Sequence, residues 1–190
     1  MDKATKKEMI RKLWIPRFNT FAIAMLMVLC IFLPYATATE KYAQDFAPDA
    51  VGIEELNLTI EDLETVSMAK YARIYFSMRD QLNYRGEGLV LTLLVVLIGC
   101  FALAAALFGL RGNPIPSVIF TALAYGVFAL QNWDYTDRGV IPSRYYAWGI
   151  AHTLLPIFAA LAAANALWLL AEKSMAKKRL KAKASVQSVE

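Results

Sequence analysis

The stretch Leu89-Val-Leu-Thr-Leu-Leu-Val-Val-Leu-Ile-Gly-Cys-Phe-Ala-Leu-Ala-Ala-Ala-Leu-Phe-Gly-Leu110 decides how this chain is read. It carries one hydroxyl (Thr92), one thiol (Cys100) and no charge, and it has no polar face. A helix that is apolar all round is buried, either in protein or in lipid. Its 22 residues meet the ~20 that a helix needs to cross a hydrocarbon core. Three further apolar stretches, at 18–35, 115–131 and 145–171, come at or near the same length. Four such helices in 190 residues leave too little polar surface to wrap them in water. Composition agrees: 58% of residues are hydrophobic and 19% charged, with a mean hydropathy of +0.41, against ~25% charged in an ordinary soluble domain. The expected fold is all-α, an integral membrane four-helix bundle.

Charge threads the chain. The net +4 is unevenly divided. Segment 1–17 sets Lys3, Lys6, Lys7, Arg11, Lys12 and Arg17 against Asp2 and Glu8, and the tail 172–190 sets six bases against Glu172 and Glu190. Segment 36–88 reverses the balance, with ten acids and five bases. Basic flanks stay on the cytoplasmic side. Both termini and the turn 111–114 are therefore expected on the cytoplasmic side of the cell membrane, with 36–88 and the loop 132–144 on the outer side. The basic ends also attract anionic headgroups. Lys177-Lys-Arg-Leu-Lys-Ala-Lys183 has no aromatic residues to stack bases, so nucleic acid is not an expected partner.

The amino end admits a second reading. A basic start, an apolar stretch and Pro34-Tyr-Ala-Thr-Ala-Thr39 match a secretory signal peptide with an Ala36-x-Ala38 cleavage site. Cleavage would leave three spans.

Segment 36–88 is too long to be a passive connection. Thr59, with Asp62 three residues on, reads as a helix cap. An amphipathic helix is expected over about 60–84, its stripe running through Ile60, Leu63, Val66, Tyr71, Ile74, Met78 and Leu82. The expected place for this helix is over the outer ends of the spans. Its residues Leu63, Tyr71, Ile74, Tyr75 and Met78 are the candidate partner-binding face. Asn57-Leu-Thr59 also fits a glycosylation acceptor, a pattern that arises often by chance.

Between spans two and three, Gly112 ends one helix and Pro114 or Pro116 opens the next. Small residues at four-residue spacing, Ala105 with Gly109 and Ala122 with Gly126, allow close helix approach or a homo-oligomer face.

Intramembrane ionisable groups are the best functional lead, and the spans are nearly empty of them. His152, near the outer end of the fourth span, has a bland role open to it: donating to a carbonyl freed by Pro156 or lying in the interface. With Gln131, Asn132, Asp134 and Tyr135 it forms a candidate polar cluster at the outer mouth. Trp133, Tyr135, Tyr145, Tyr146 and Trp148 read as an outer aromatic belt matching Trp14 and Trp168 inside. Cys30 and Cys100 lie within spans, unpaired, as packing residues. No nucleophile, paired carboxylates or metal-ligand spacing is evident, so no enzyme activity, cofactor or metal is expected.

The expected function is a non-catalytic tetraspan protein, an accessory or scaffold subunit that binds a partner through its outer helix and loops. A small transporter or channel subunit, homo-oligomeric and lined by Thr92, Thr121 or Asn165, is the alternative. The partners expected are membrane lipid and another membrane protein or further copies of this chain.

Overall fold

The computed structural model describes residues 3–48, 50–78 and 85–187. Four long helices dominate: α1 (Lys3–Cys30), α4 (Arg85–Leu110), α5 (Pro114–Asp137) and α6 (Ile150–Gln187). Each contains an apolar window long enough to cross a membrane: Leu13–Cys30, Gly88–Leu110, Pro114–Asp137 and Ile150–Lys178. They pack as a ring, α1 and α5 each touching both α4 and α6. A third or less of each window is buried inside the protein. Leu93, Val96, Ile119, Leu123 and Leu161 point outward, exposed. Apolar outer faces on packed helices of this length point to a multi-pass membrane protein.

Local chemistry explains the packing. At Gly109 an added Cβ would lie 2.7 Å from Cγ2 of Thr20, so α1 and α4 approach closely there. Ser117 Oγ donates to Ala105 O at 2.9 Å, tying α5 to α4. Ala122 and Gly126 instead face outward, with open space around Gly126. Only the first small-residue pair therefore serves the bundle. Gly112, at φ +72°, closes α4: Asn113 N–H donates to Phe108 O (2.8 Å) and Gly112 N–H to Gly109 O (2.9 Å). That pair of bonds is the Schellman helix end, and Pro114 opens α5 as expected.

One end of the bundle is capped by structure that the all-α expectation omits. Strand β1 (Pro34–Ala38) lies between β4 (Thr65–Ser67) and β5 (Tyr146–Trp148), antiparallel to both, with Ala36 opposite Val66 on one side and Trp148 on the other. A short helix α2 (Glu40–Asp45) and a hairpin of β2 (Val51–Ile53) and β3 (Leu58–Thr59) lie between β1 and β4, and α3 (Met68–Met78) follows β4. The sheet satisfies backbone groups that unstructured loops would leave unpaired against the bundle.

Three boundaries move in consequence. Residues 145–149 belong to the β5 region, so the fourth long helix starts at Ile150. Residues 132–137, expected as loop, are the last turns of α5. The amphipathic helix starts at Met68 rather than near Ile60, because β1 pairs with Thr65–Ser67. Thr59 and Asp62 do bond reciprocally, Thr59 N–H to Asp62 Oδ2 at 3.0 Å and Asp62 N–H to Thr59 Oγ1 at 3.2 Å. They close only the 3₁₀ turn Glu61–Leu63. Ser67 Oγ takes over as cap by accepting the Lys70 N–H at 3.1 Å. The expected continuation of the helix over 79–84 lies outside the described residues.

Candidate functional site

Tyr35 organises the capped end. It enters from β1 immediately below the sheet and is fully buried. Its ring meets Trp148 at 5.3 Å, Tyr135 at 5.9 Å, Phe128 at 6.1 Å and Tyr71 at 6.3 Å between centroids. Its hydroxyl donates to Oδ1 of Asn132 at 2.6 Å. Burial, and then the neighbouring Tyr71 and Asp134, push its pKa well above the usual phenol range. One strand residue thus joins α3, α5 and the β5 region.

The five residues expected at an outer mouth do not form one. Gln131 and Tyr135, one helical turn apart on α5, are fully buried, and neither the Gln131 amide nor the Tyr135 hydroxyl has a hydrogen-bond partner. Asn132 accepts from Tyr35. Asp134 turns away to pair with Arg138. His152 lies under Trp148, its ring stacked at 4.3 Å and 18°. That stack, rather than a carbonyl freed by Pro156, is what the structure gives His152. Of the expected aromatic belt, Trp133 is outward, whereas Tyr135 is core, Trp148 covers His152, and Tyr145 and Tyr146 pack on Phe46 and Tyr42 at 5.3 and 5.4 Å.

The amphipathic stripe faces the bundle. Tyr71 is buried, its ring 5.5 Å from that of Tyr135 and stacked on Tyr75 at 6.2 Å. Leu63, Ile74 and Tyr75 pack against the core, and Met78 is half-buried. Ala69 N–H donates to Ile31 O (3.1 Å), and Thr92 Oγ1 donates to Ala72 O (3.1 Å) from α4. Thr92 also bonds Gly88 O, and Thr121 bonds Ser117 O, so both hydroxyls proposed to line a pore are held by backbone carbonyls.

The outer surface of the cap is different. Phe46 and Val51 are exposed on it, in a segment that also carries the exposed acids Glu40, Glu54, Glu61 and Glu64. Asp45 binds its two halves together: Lys41 Nζ lies at 2.9 Å, Arg144 Nη2 at 3.4 Å, and the Tyr145 hydroxyl donates to it at 3.3 Å. The Lys41 bond first, then the Lys41 and Arg144 charges, hold its carboxyl below the usual range. Tyr42 and Tyr146 fasten the 3₁₀ turn from beneath, their hydroxyls donating to Ile60 O and Leu63 O, each at 3.0 Å.

Sequence reasoning missed Tyr35, Tyr42 and Asp45. The available signal was the alternation Tyr35-Ala-Thr-Ala-Thr39, a strand pattern directly after an apolar span. Among the described residues, no group of three or more His, Cys, Asp or Glu side chains is placed to hold a metal ion. No family model, curated protein or solved structure matches this chain.

Proposed function

We propose that the protein is a non-catalytic accessory or scaffold subunit of a membrane assembly, engaging a partner through the capped end of its bundle. The observation that carries this reading is the cap itself. The first and third inter-span connections both contribute strands to one sheet, α1 running almost directly into β1 and β5 almost directly into α6. A partner seated on the cap would therefore be coupled to the spans. The apolar stripe of α3 is committed to the bundle, so the contact surface is the outer one around Phe46 and Val51. Exposed apolar side chains on a segment in which exposed carboxylates outnumber bases suit a partner segment that is apolar with some basic residues. In the orientation set by the basic ends, both termini face the cytoplasm and the cap lies on the far side of the cell membrane.

The test is purification in mild detergent with mass spectrometry of the co-eluting proteins. A stoichiometric partner, lost in Phe46→Glu and Val51→Glu variants whose melting temperature is unchanged, is the expected result. A partner retained by both variants, or elution as a homo-oligomer alone, counts against the reading.

A small transporter or channel subunit is the second reading, and Gln131 favours it. Its amide and the Tyr135 hydroxyl sit unbonded inside the bundle. A solute flux in liposomes abolished by Gln131→Leu would favour this reading over the first.

A further inference from the structure

At the end of the bundle opposite the cap, two cations converge on one residue. The Arg17 guanidinium of α1 lies against Gly112, where an added Cβ would fall 2.5 Å from Nε and 2.8 Å from Cζ. Lys173 Nζ of α6 donates to Gly112 O from the other direction. Arg111, exposed, is the next residue in the same turn. Among the described residues, no carboxylate pairs with Arg17 or Lys173. Arg17 Nε is buried with no hydrogen-bond partner.

Like charges held this close raise one another's energy unless an anion joins them. A buried guanidinium N–H without an acceptor adds a desolvation cost. The start of α5 contributes further positive potential, and the Asn113 side chain leaves that helix end uncapped. These groups come from three separate elements, so the packing of the bundle positions them.

The surroundings identify the anion. Trp14 and Trp168 are both exposed at this end, where indole rings mark the boundary of the hydrocarbon. Exposed Phe18 on α1 and Leu167 on the adjoining α6 lie toward the middle of the bundle from Arg17 and Lys173. A phosphate at the pair would continue naturally into acyl chains along that surface. We propose that Arg17, Lys173 and Arg111 form a headgroup site for one anionic phospholipid, its phosphate accepting from the Arg17 fork and the Lys173 ammonium. The proposal rests on the helices being membrane spans and is independent of what binds the cap.

The test begins with carbonate-washed membranes. Loss of the protein from them would defeat the membrane reading itself, and the lipid site with it. Protein extracted in detergent is then titrated with phosphatidylglycerol, phosphatidylcholine or inorganic phosphate and read by native mass spectrometry. One phosphatidylglycerol, bound saturably and in preference to phosphatidylcholine, is expected. Arg17→Gln and Lys173→Gln should each weaken it about fivefold, while Lys177→Gln with Lys178→Gln leaves it unchanged. If Arg17→Gln does not fold, Lys173→Gln carries the same expectation alone. Equal binding of the two lipids overturns the site. So does a loss in the Lys177/Lys178 variant as large as in the others, which would assign binding to diffuse tail charge. Displacement of the lipid by equimolar inorganic phosphate would overturn the lipid as occupant in favour of a free anion.

Discussion

The Tyr35 hydroxyl and the Asn132 side chain meet at 2.6 Å across 97 positions of sequence, joining the strand after the first long helix to the end of the third. The two ends of this bond are not equivalent. Tyr35 is fully buried, whereas Asn132 is half-buried and within reach of solvent.

Removing either partner therefore has a different cost. Asn132→Ala leaves a buried hydroxyl unpaired and should cost about 1–3 kcal/mol, while Tyr35→Phe leaves only a wet amide and should cost about 1 kcal/mol. Thermal melts of both variants and the double variant check this. A Tyr35→Phe loss larger than that of Asn132→Ala would show that the bond does not anchor the cap.

Gly149 makes the sharpest steric prediction. Its N–H donates to Tyr35 O at 2.8 Å, and an added Cβ would overlap the Pro34 carbonyl oxygen and lie 2.7 Å from its carbon. Backbone in a middle strand cannot yield as a flexible side chain can. Gly149→Ala should cost about 3 kcal/mol. Gly126→Ala, placed in open space on a helix, should be neutral or stabilising by up to ~1 kcal/mol. Equal melting temperatures for the two variants would refute the close approach.

Gln131→Met tests why a polar residue sits in the core. With both amide atoms unbonded, an apolar residue of similar length should raise stability by about 1–3 kcal/mol. A lowered melting temperature would mean the amide is satisfied in the folded protein in a way its neighbours do not reveal.

The cap should respond to pH at both extremes. Asp45 and Asp62 are held below their ordinary 3.8, by the Lys41 bond and by the Thr59 N–H respectively. Their stabilisation is complete above that value and is lost as pH falls through the lowered folded-state pKa. Tyr35, Tyr71 and Tyr146 are raised above 10.0, chiefly by burial. The folded state keeps those protons longer, so stability falls as pH rises beyond 10.0. Tyrosinate absorbance followed alongside the melting temperature checks both limbs. A full complement of phenols ionising near 10 in folded protein would contradict the burial, and Asp45→Asn with Asp62→Asn should flatten the acid limb.

How much of this was legible in the sequence follows from the range of the forces involved. The run 89–110 announces a helix by composition alone, and Gly112 with Pro114 announces the turn by local backbone chemistry. The sheet leaves only a faint trace, the short alternation at Tyr35–Thr39. Its strands are three to five residues long, and Tyr146–Trp148 reads equally well as the aromatic start of an apolar span. Thr59 and Asp62 show the limit most clearly. The hydrogen bonds that their spacing predicts do form, yet pairing of Thr65–Ser67 with β1 moves the helix eight residues along. His152 and Asp134 look like neighbours on paper; the Trp148 stack and the Arg138 pair separate them.

The place of β1 between β4 and β5 also sets a timetable. β4 leaves the ribosome soon after β1, but β5 follows roughly 110 residues later, a delay on the order of 5–20 s at ordinary synthesis rates. Until then one edge of β1 is open. The three-stranded cap is therefore complete only once β5, immediately ahead of the last helix, has been made and has closed the second edge of β1.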